Sequence, residues 1–445
     1  MPRAAQQHPA QQHPAHEHLP PTSVPPLADL PATPDVAVIG AGAAGIGAAR
    51  RLRAHGLSVA VLEARTRLGG RTVTTSLRGH PVDLGAHWLH AGPINPLVTL
   101  GFQRGEPLRR AAQESHLWVG RRPGRPAEEA AFGRAWAVAD RAMTDGARLH
   151  GADRPAAAAL PPGLGPWGQR VALVHGLVSG RPLSEVSLHD FPSMEYGDNF
   201  FIAGGYGAYL SRLAAGLPVA LDAPVAALDW SAEGVRLDLG PRGALRARAA
   251  LVTAPMMVMQ EPSPALRFAP ALPDPVRAAI DGFRPGVYEH VVLHWPSSPF
   301  RGRDRLASLI GGRLQPPGLL TRVDGTPFHY FELDVPLALR LDAARAGADG
   351  ARRLVRETLA EQVGRGRLRD LAVPAVTEWR HDPWSRGSWA VVPPGHAGAR
   401  DLLKEPVAER IWFAGEALSR AQWGTAGGAF AEGERAADAI AAALH

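Results

Sequence analysis

Cysteine is absent from all 445 residues, which excludes disulfides, thiolate metal sites and a cysteine nucleophile. Lysine is almost absent too: Lys404 is the only one, and the basic side of the +6 net charge is otherwise arginine, interleaved with Asp and Glu along the chain. That pattern argues against nucleic acid as a partner. No unbroken apolar run approaches the roughly eighteen residues that span a bilayer, and the N-terminus lacks the basic and then apolar order of a secretory leader. The expectation is a soluble, cytoplasmic protein that does not associate with membranes.

What is present suits a chain with two lobes, since 45% of 445 residues are hydrophobic and one compact core rarely grows that large. Residues 1–34 contain QQHPAQQHPAHEHLPP, a segment with too little apolar content to bury that reads as a disordered tail. Its His8, His13, His16 and His18 have no fixed geometry in which to hold a metal. Order is expected from Asp35, where VAVIG forms a strand buried on both faces, followed by GAGAAG, a helix from Ala43 to His55 ending at Gly56, and a second buried strand, LSVAVLE.

Gly40, Gly42 and Gly45 thus stand at G-x-G-x-x-G spacing between a strand and a helix, with the acidic Glu63 closing the second strand. The first glycine permits the tight turn, the second lets backbone amides approach a pyrophosphate, and the third allows the helix to pack closely. The helix N-terminus offers free N–H groups and partial positive charge to the phosphates. Glu63 can accept hydrogen bonds from ribose hydroxyls and disfavours a 2′-phosphate. The fold class is therefore α/β with a Rossmann-like parallel sheet, and the pattern alone does not separate NAD from FAD. Further on, helices are expected around 127–149 and 337–365, and extended segments near 219–239 and 286–295. A glycine-rich turn and helix should begin at Phe201, and strand, loop and long helix at Ile411.

The continuation EARTRLGGRTVT, with Glu63, Arg65, Gly69, Gly70 and Arg71, resembles the extension found in the flavin-containing amine oxidase family, in which an arginine meets the pyrophosphate. VDLGAHWLH is similar to the family segment that runs along the flavin, with Gly85, Ala86, His87 and Trp88 at its flavin-facing positions. FAGE, with Gly415 and Glu416, and WGTAGGAF, with Thr425 and Ala426 at the start of the last helix, resemble the final flavin contacts. TEWRHDPWSRGSWAVV points to the amine oxidase branch, placing Trp379 beside the flavin and Trp389 as one wall of an aromatic cage. Val225 falls where the family contacts the adenine end. The resemblance implies FAD as cofactor, held non-covalently since no cysteine can tether it. It also implies an FAD-binding domain built from 35–95, 205–260 and 370–445, with an interleaved α+β substrate-binding domain from 96–204 and 261–369.

Implied activity is oxidation of a primary or secondary amine, polyamine or monoamine-like, to an imine by hydride transfer to flavin N5. O2, giving H2O2, or another acceptor would take the electrons. Two positions depart from the family pattern. The opposite cage wall, often tyrosine, is Thr425, and the strand that normally carries a lysine beside flavin N5 has His290 in PGVYEHVVLHW. His290 leaves three roles open: holding a water, acting as a base, or filling space. His87 and His90 are further candidates for substrate contact. A desaturase or oxidase of a non-amine substrate and a non-catalytic flavin scaffold remain as alternatives.

Overall fold

A computed structural model describes residues 30–445 except 112–114, 150, 196, 261–264 and 345–346. The four tail histidines lie outside the described residues. Leu30 is buried against the core, so ordered packing is already present five residues before the expected start at Asp35.

At the centre lies a parallel five-stranded sheet in the order Ile411–Phe413, Ala249–Val252, Val36–Ile39, Val59–Leu62, Val219–Ala220. Its strands are continuous apolar runs because both faces are covered. Val36, Val38, Val59 and Val61 pack on helices Ala43–Ala54, Tyr206–Leu213 and Ala426–Leu444. Their neighbours Ala37, Ile39, Ala60 and Leu62 face a small sheet formed by Ala227–Asp229, Val235–Asp238, Ala244–Ala247 and Arg267–Ala269. The first and last helices approach closely. A Cβ on Gly433 would come within 2.1 Å of the Ala44 carbonyl oxygen, and one on Gly47 within 2.8 Å of that of Phe430.

A mixed seven-stranded sheet forms the second layer, its first three strands in order being Ala372–Val376, Glu289–His294 and Phe328–Leu333. Parity decides what each face meets. Val291, Leu293, Phe331 and Leu333 pack under helices Val335–Ala343 and Gly347–Val363, while Val292, Phe328 and Tyr330 pack on the opposite side. Two strand pairings move the unit boundaries drawn from the sequence. Ala372–Val376 belongs to the seven-stranded sheet rather than to the segment starting at 370, and Arg267–Ala269 extends the small sheet beyond 260. Pro374 has no N–H to give a ladder, and the strand that carries it is accordingly at the sheet edge.

One buried ion pair ties distant parts of the chain together. The Arg400 guanidinium, fully buried, donates to both carboxylate oxygens of Asp190 at 2.7 and 2.8 Å and to the Ala417 carbonyl at 2.7 Å. Arg400→Met should cost about 3–5 kcal/mol, because Asp190 is then left buried without its partner. The double variant Arg400→Met, Asp190→Leu should recover much of that in chemical denaturation, and a single-variant loss under about 1 kcal/mol would sink the idea.

Candidate active site

The end of strand Val36–Ile39 turns at Gly40, whose φ of +108° favours glycine. A Cβ on Gly45 would sit 1.8 Å from the Gly40 carbonyl oxygen, so the third glycine is what lets the helix start so near the strand. Gly42 caps helix Ala43–Ala54 without a side chain, which leaves the first-turn N–H groups open. Gly70 faces it: a Cβ there would lie 3.3 Å from the Gly42 Cα. Gly40, Gly42, Ala43, Ala44 and Gly70 line one end of a cavity of roughly 1110 Å³, more than the usual 300–1,000 Å³ or so of a single small-ligand pocket.

Glu63 closes the second strand and accepts from the backbone N–H groups of Ala41 and Arg65, both at 2.8 Å, fixing its carboxylate at the cavity wall. Arg65 lines the cavity too, but its guanidinium is committed to Asp382, two contacts of 2.7 Å, and to the Ser385 hydroxyl. Arg71 donates to the Ser388 carbonyl at 2.8 Å and to Glu416 at 3.1 Å. Glu416 in turn accepts from the N–H groups of Ala390 and Gly424. Arg65 and Glu416 thus brace loops around the cavity, a use their motif positions did not suggest. Gly415 has φ of +145° and nothing within 4 Å of where a Cβ would stand, so bare backbone faces the space.

Every residue marked from the sequence as a cofactor contact lines this one cavity except Gly45, which acts behind the turn. Gly85, Ala86, His87 and Trp88 form one wall, and Trp379 another, its ring nitrogen donating to the Leu84 carbonyl at 3.1 Å. Val225 and Ala426 border it as well. The sequence reading missed Thr253, Ala254 and Pro255, which follow the buried AALV strand, and Trp384 and Ser385. A cradle of open amides and bare glycines, with a carboxylate at the second strand end, fits a dinucleotide. Among the described residues no cluster of His, Asp and Glu could hold a metal, and no helix is long and apolar enough to cross a membrane.

The cavity continues past this cradle to Trp389, whose ring nitrogen donates to the Ser179 carbonyl at 3.0 Å. Glycines crowd its ring: Cβ atoms on Gly180, Gly286 and Gly424 would come to 2.6, 3.1 and 3.2 Å of it, so the indole is held in one place. Tyr288, not foreseen, lies 5.6 Å from it between ring centres. Thr425 lines the cavity too, with its hydroxyl engaged. It caps helix Ala426–Leu444, accepting from Gly428 N–H and donating to the Gln422 carbonyl.

His87 and His290 meet edge to face at 5.8 Å, and His290 stacks on Tyr330 at 4.7 Å. The Gly85 carbonyl, 3.3 Å from His87 Nδ1, can only accept, which puts the hydrogen on Nδ1 and leaves Nε2 bare. Neither ring nitrogen of His290 has a hydrogen-bond partner. Burial pushes His290 down to about 4, and burial, with His290 nearby, holds His87 well below the usual histidine range. Both are therefore neutral at pH 7. His90 borders the cavity mouth, its Nδ1 3.2 Å from Asn199 Oδ1.

A family model described as flavin containing amine oxidoreductase matches residues 156–441, and one described as an NAD(P)-binding Rossmann-like domain matches residues 38–100. Among curated relatives, lysine-specific histone demethylase 1 homolog 1 of Oryza sativa subsp. japonica is 28% identical over 91% of this chain and 52% of its own. Lysine-specific histone demethylase 2 of Homo sapiens is 26% identical over 92% and 53%. The chain spans about half the length of these relatives. Among solved structures, cyclohexylamine oxidase from Brevibacterium oxydans IH-35A shares the fold with a TM-score of 0.76 at 22% identity, covering 93% of this chain and 99% of that one. Putrescine oxidase bound to putrescine does so with a TM-score of 0.72 at 21% identity, covering 92% and 99%. With the first of these family models covering more than half of its length, the chain belongs to the flavin-containing amine oxidoreductases, enzymes that use FAD.

Proposed function

We propose that this protein oxidises a primary or secondary amine of small-molecule size to an imine, which water then hydrolyses. The observation that carries the reading is the continuity of the cavity: the glycine cradle runs without a partition into a chamber walled by Trp389, His87 and His290. Amine chemistry on a carbon also runs through the names of the relatives, a putrescine oxidase, a cyclohexylamine oxidase and histone demethylases.

Bound FAD, held at Gly40, Gly42, Glu63, Gly70, Arg71, Gly415 and the start of the last helix, supplies a two-electron acceptor. The chain's own residues do the rest. Trp389 offers an aromatic face that orients the amine and excludes water. His87 Nε2 accepts a hydrogen bond from the amine or from water. His290 offers a ring nitrogen with which to hold the water that attacks the imine. Its lowered basicity makes it a holder of water rather than a store for protons. Because both histidines are neutral, neither repels an arriving cation.

Anaerobic titration of the purified protein with monoamines, polyamines and amino acids should bleach the flavin band. The rate of recolouring on admitting air then separates O2, with formation of H2O2, from another acceptor. A bound flavin that no amine bleaches would replace this reading with a non-amine substrate or a non-catalytic scaffold.

A further inference from the structure

An alkyl amine arrives at neutral pH as an ammonium ion, since such groups lose their proton near pH 10 or so. Only the neutral amine has the nitrogen electron pair that drives loss of the α hydrogen. The cavity therefore needs a proton acceptor. His87 and His290 are too weakly basic, and the only lysine, Lys404, is paired with Asp401 at 3.3 Å.

Glu332 stands directly opposite His290 in the antiparallel pair of Glu289–His294 with Phe328–Leu333. Residues so paired point to the same face, and both line the cavity. The Glu332 side chain is buried. Its Oε1 accepts from the Tyr288 hydroxyl at 3.0 Å, while Oε2 has no hydrogen-bond partner. A Cβ on Gly318 would stand 2.0 Å from Oε2, so the glycine makes the room that this oxygen occupies.

We propose that Glu332 takes the proton from the bound substrate's ammonium group. The N–H bond breaks, the electron pair stays on nitrogen, and an O–H bond forms at Oε2. The assignment rests on the amine reading above. Transfer replaces two buried charges by two neutral groups, which a low-dielectric site favours. Burial pushes Glu332 up to about 7, and its hydrogen bond from Tyr288 and the nearby Arg170 charge oppose that only in part. Tyr288 stays protonated and donating, its own titration pushed far up by burial. Behind the carboxylate, the Arg170 guanidinium is spent on the carbonyls of Pro316 and Pro317. Tyr330 and Asp334 flank Glu332 on its own segment, and His116, Glu129, Asp140 and Glu195 also line the cavity.

The test follows anaerobic flavin reduction against pH, with the amine that reduces the wild type fastest. Glu332→Gln should slow reduction about two hundredfold at pH 8, the scarcity of free amine for a group titrating near 10.4, and come within a few fold of wild type near pH 10.5. Tyr288→Phe, which keeps the acid but removes its donor, should move the low-pH limb up by about one unit. A readout without turnover uses tert-butylamine, which has no α hydrogen. Its binding to the wild type at alkaline pH should raise a protonated-carboxyl infrared band that Glu332→Gln lacks. Loss in Glu332→Gln that is equal at all pH values, an unmoved limb in Tyr288→Phe, or an absent carboxyl band overturns the proposal. A defect confined to diamines does so too, making Glu332 an anchor for a second ammonium. A wild type that no amine reduces overturns the amine reading itself.

Discussion

Gly45→Ala is expected to yield a protein that retains almost no flavin, with affinity down by two orders of magnitude or more. The added Cβ would lie 1.8 Å from the Gly40 carbonyl oxygen and 2.9 Å from its carbon, with Thr253 Oγ1 at 3.3 Å behind. These obstacles are mostly backbone, so no rotamer change relieves them. Either the helix retreats from the strand end or the turn opens, and both displace the free N–H groups that the cradle presents. Gly56→Ala is the control: φ there is +81° but nothing lies within 4 Å, so it should lose about 1 kcal/mol of stability to backbone strain and keep its flavin. The ratio of flavin to protein absorbance after gel filtration reads both. Full occupancy in Gly45→Ala would mean the turn is not the pyrophosphate site.

The second large effect is loss of stability in mild acid. His87, His175, His290 and His329 are all buried, and burial pushes His175 and His290 down to about 4 and His329 to about 3, with His87 also lowered. Folded-state values below the unfolded one near 6.5 mean that the unfolded chain binds more protons as pH falls. Their stabilisation is full above pH 6.5 or so and drains away toward pH 4. Glu332, raised to about 7, and Asp83, raised to about 6, act in the opposite sense, being most favourable to folding when protonated. Glu289, Asp140, Asp334 and Glu434, also raised by burial, act with these two acids, but by less than the histidines are lowered, so stability falls as pH drops from about 6.5 toward 5. Apparent Tm should therefore fall steeply between about pH 6.5 and 5. His175 stacks on Trp136 at 3.9 Å and neither of its ring nitrogens is paired, so His175→Phe keeps the stack and should flatten the acid limb. An unchanged slope in that variant would remove His175 from the account.

Features set by neighbours in sequence were legible before the structure. The turn from Gly40 to Gly45, the strand ending at Glu63 and the final helix each depend on contiguous residues, and Trp379 and Trp389 sit in one short motif. Features set by pairing across the chain were not. Glu332 faces the cavity because it pairs with His290, 42 positions earlier, and because strand parity turns it away from the helices. The one available signal was its isolation, a lone acid inside the apolar strand FHYFEL. Thr425, read as a cavity wall, does line the cavity, but its second use as the cap of the last helix went unread. Nor did charge-bearing motif residues announce their partners: Arg65 finds Asp382 and Glu416 finds Arg71 only once the loops close.

The interlocking of helix Ala43–Ala54 with helix Ala426–Leu444, backbone against backbone at Gly47 and Gly433, gives the site a timetable. One wall of the cofactor cradle runs from Gly40 to Ala44, and the opposite wall, from Gly415 to Ala429, starts 371 positions further along the chain. A chain in which these two helices have not yet docked thus carries half a cradle, and flavin capture belongs to the moment after docking. Flavin then binds only the docked form and in turn holds the two helices together.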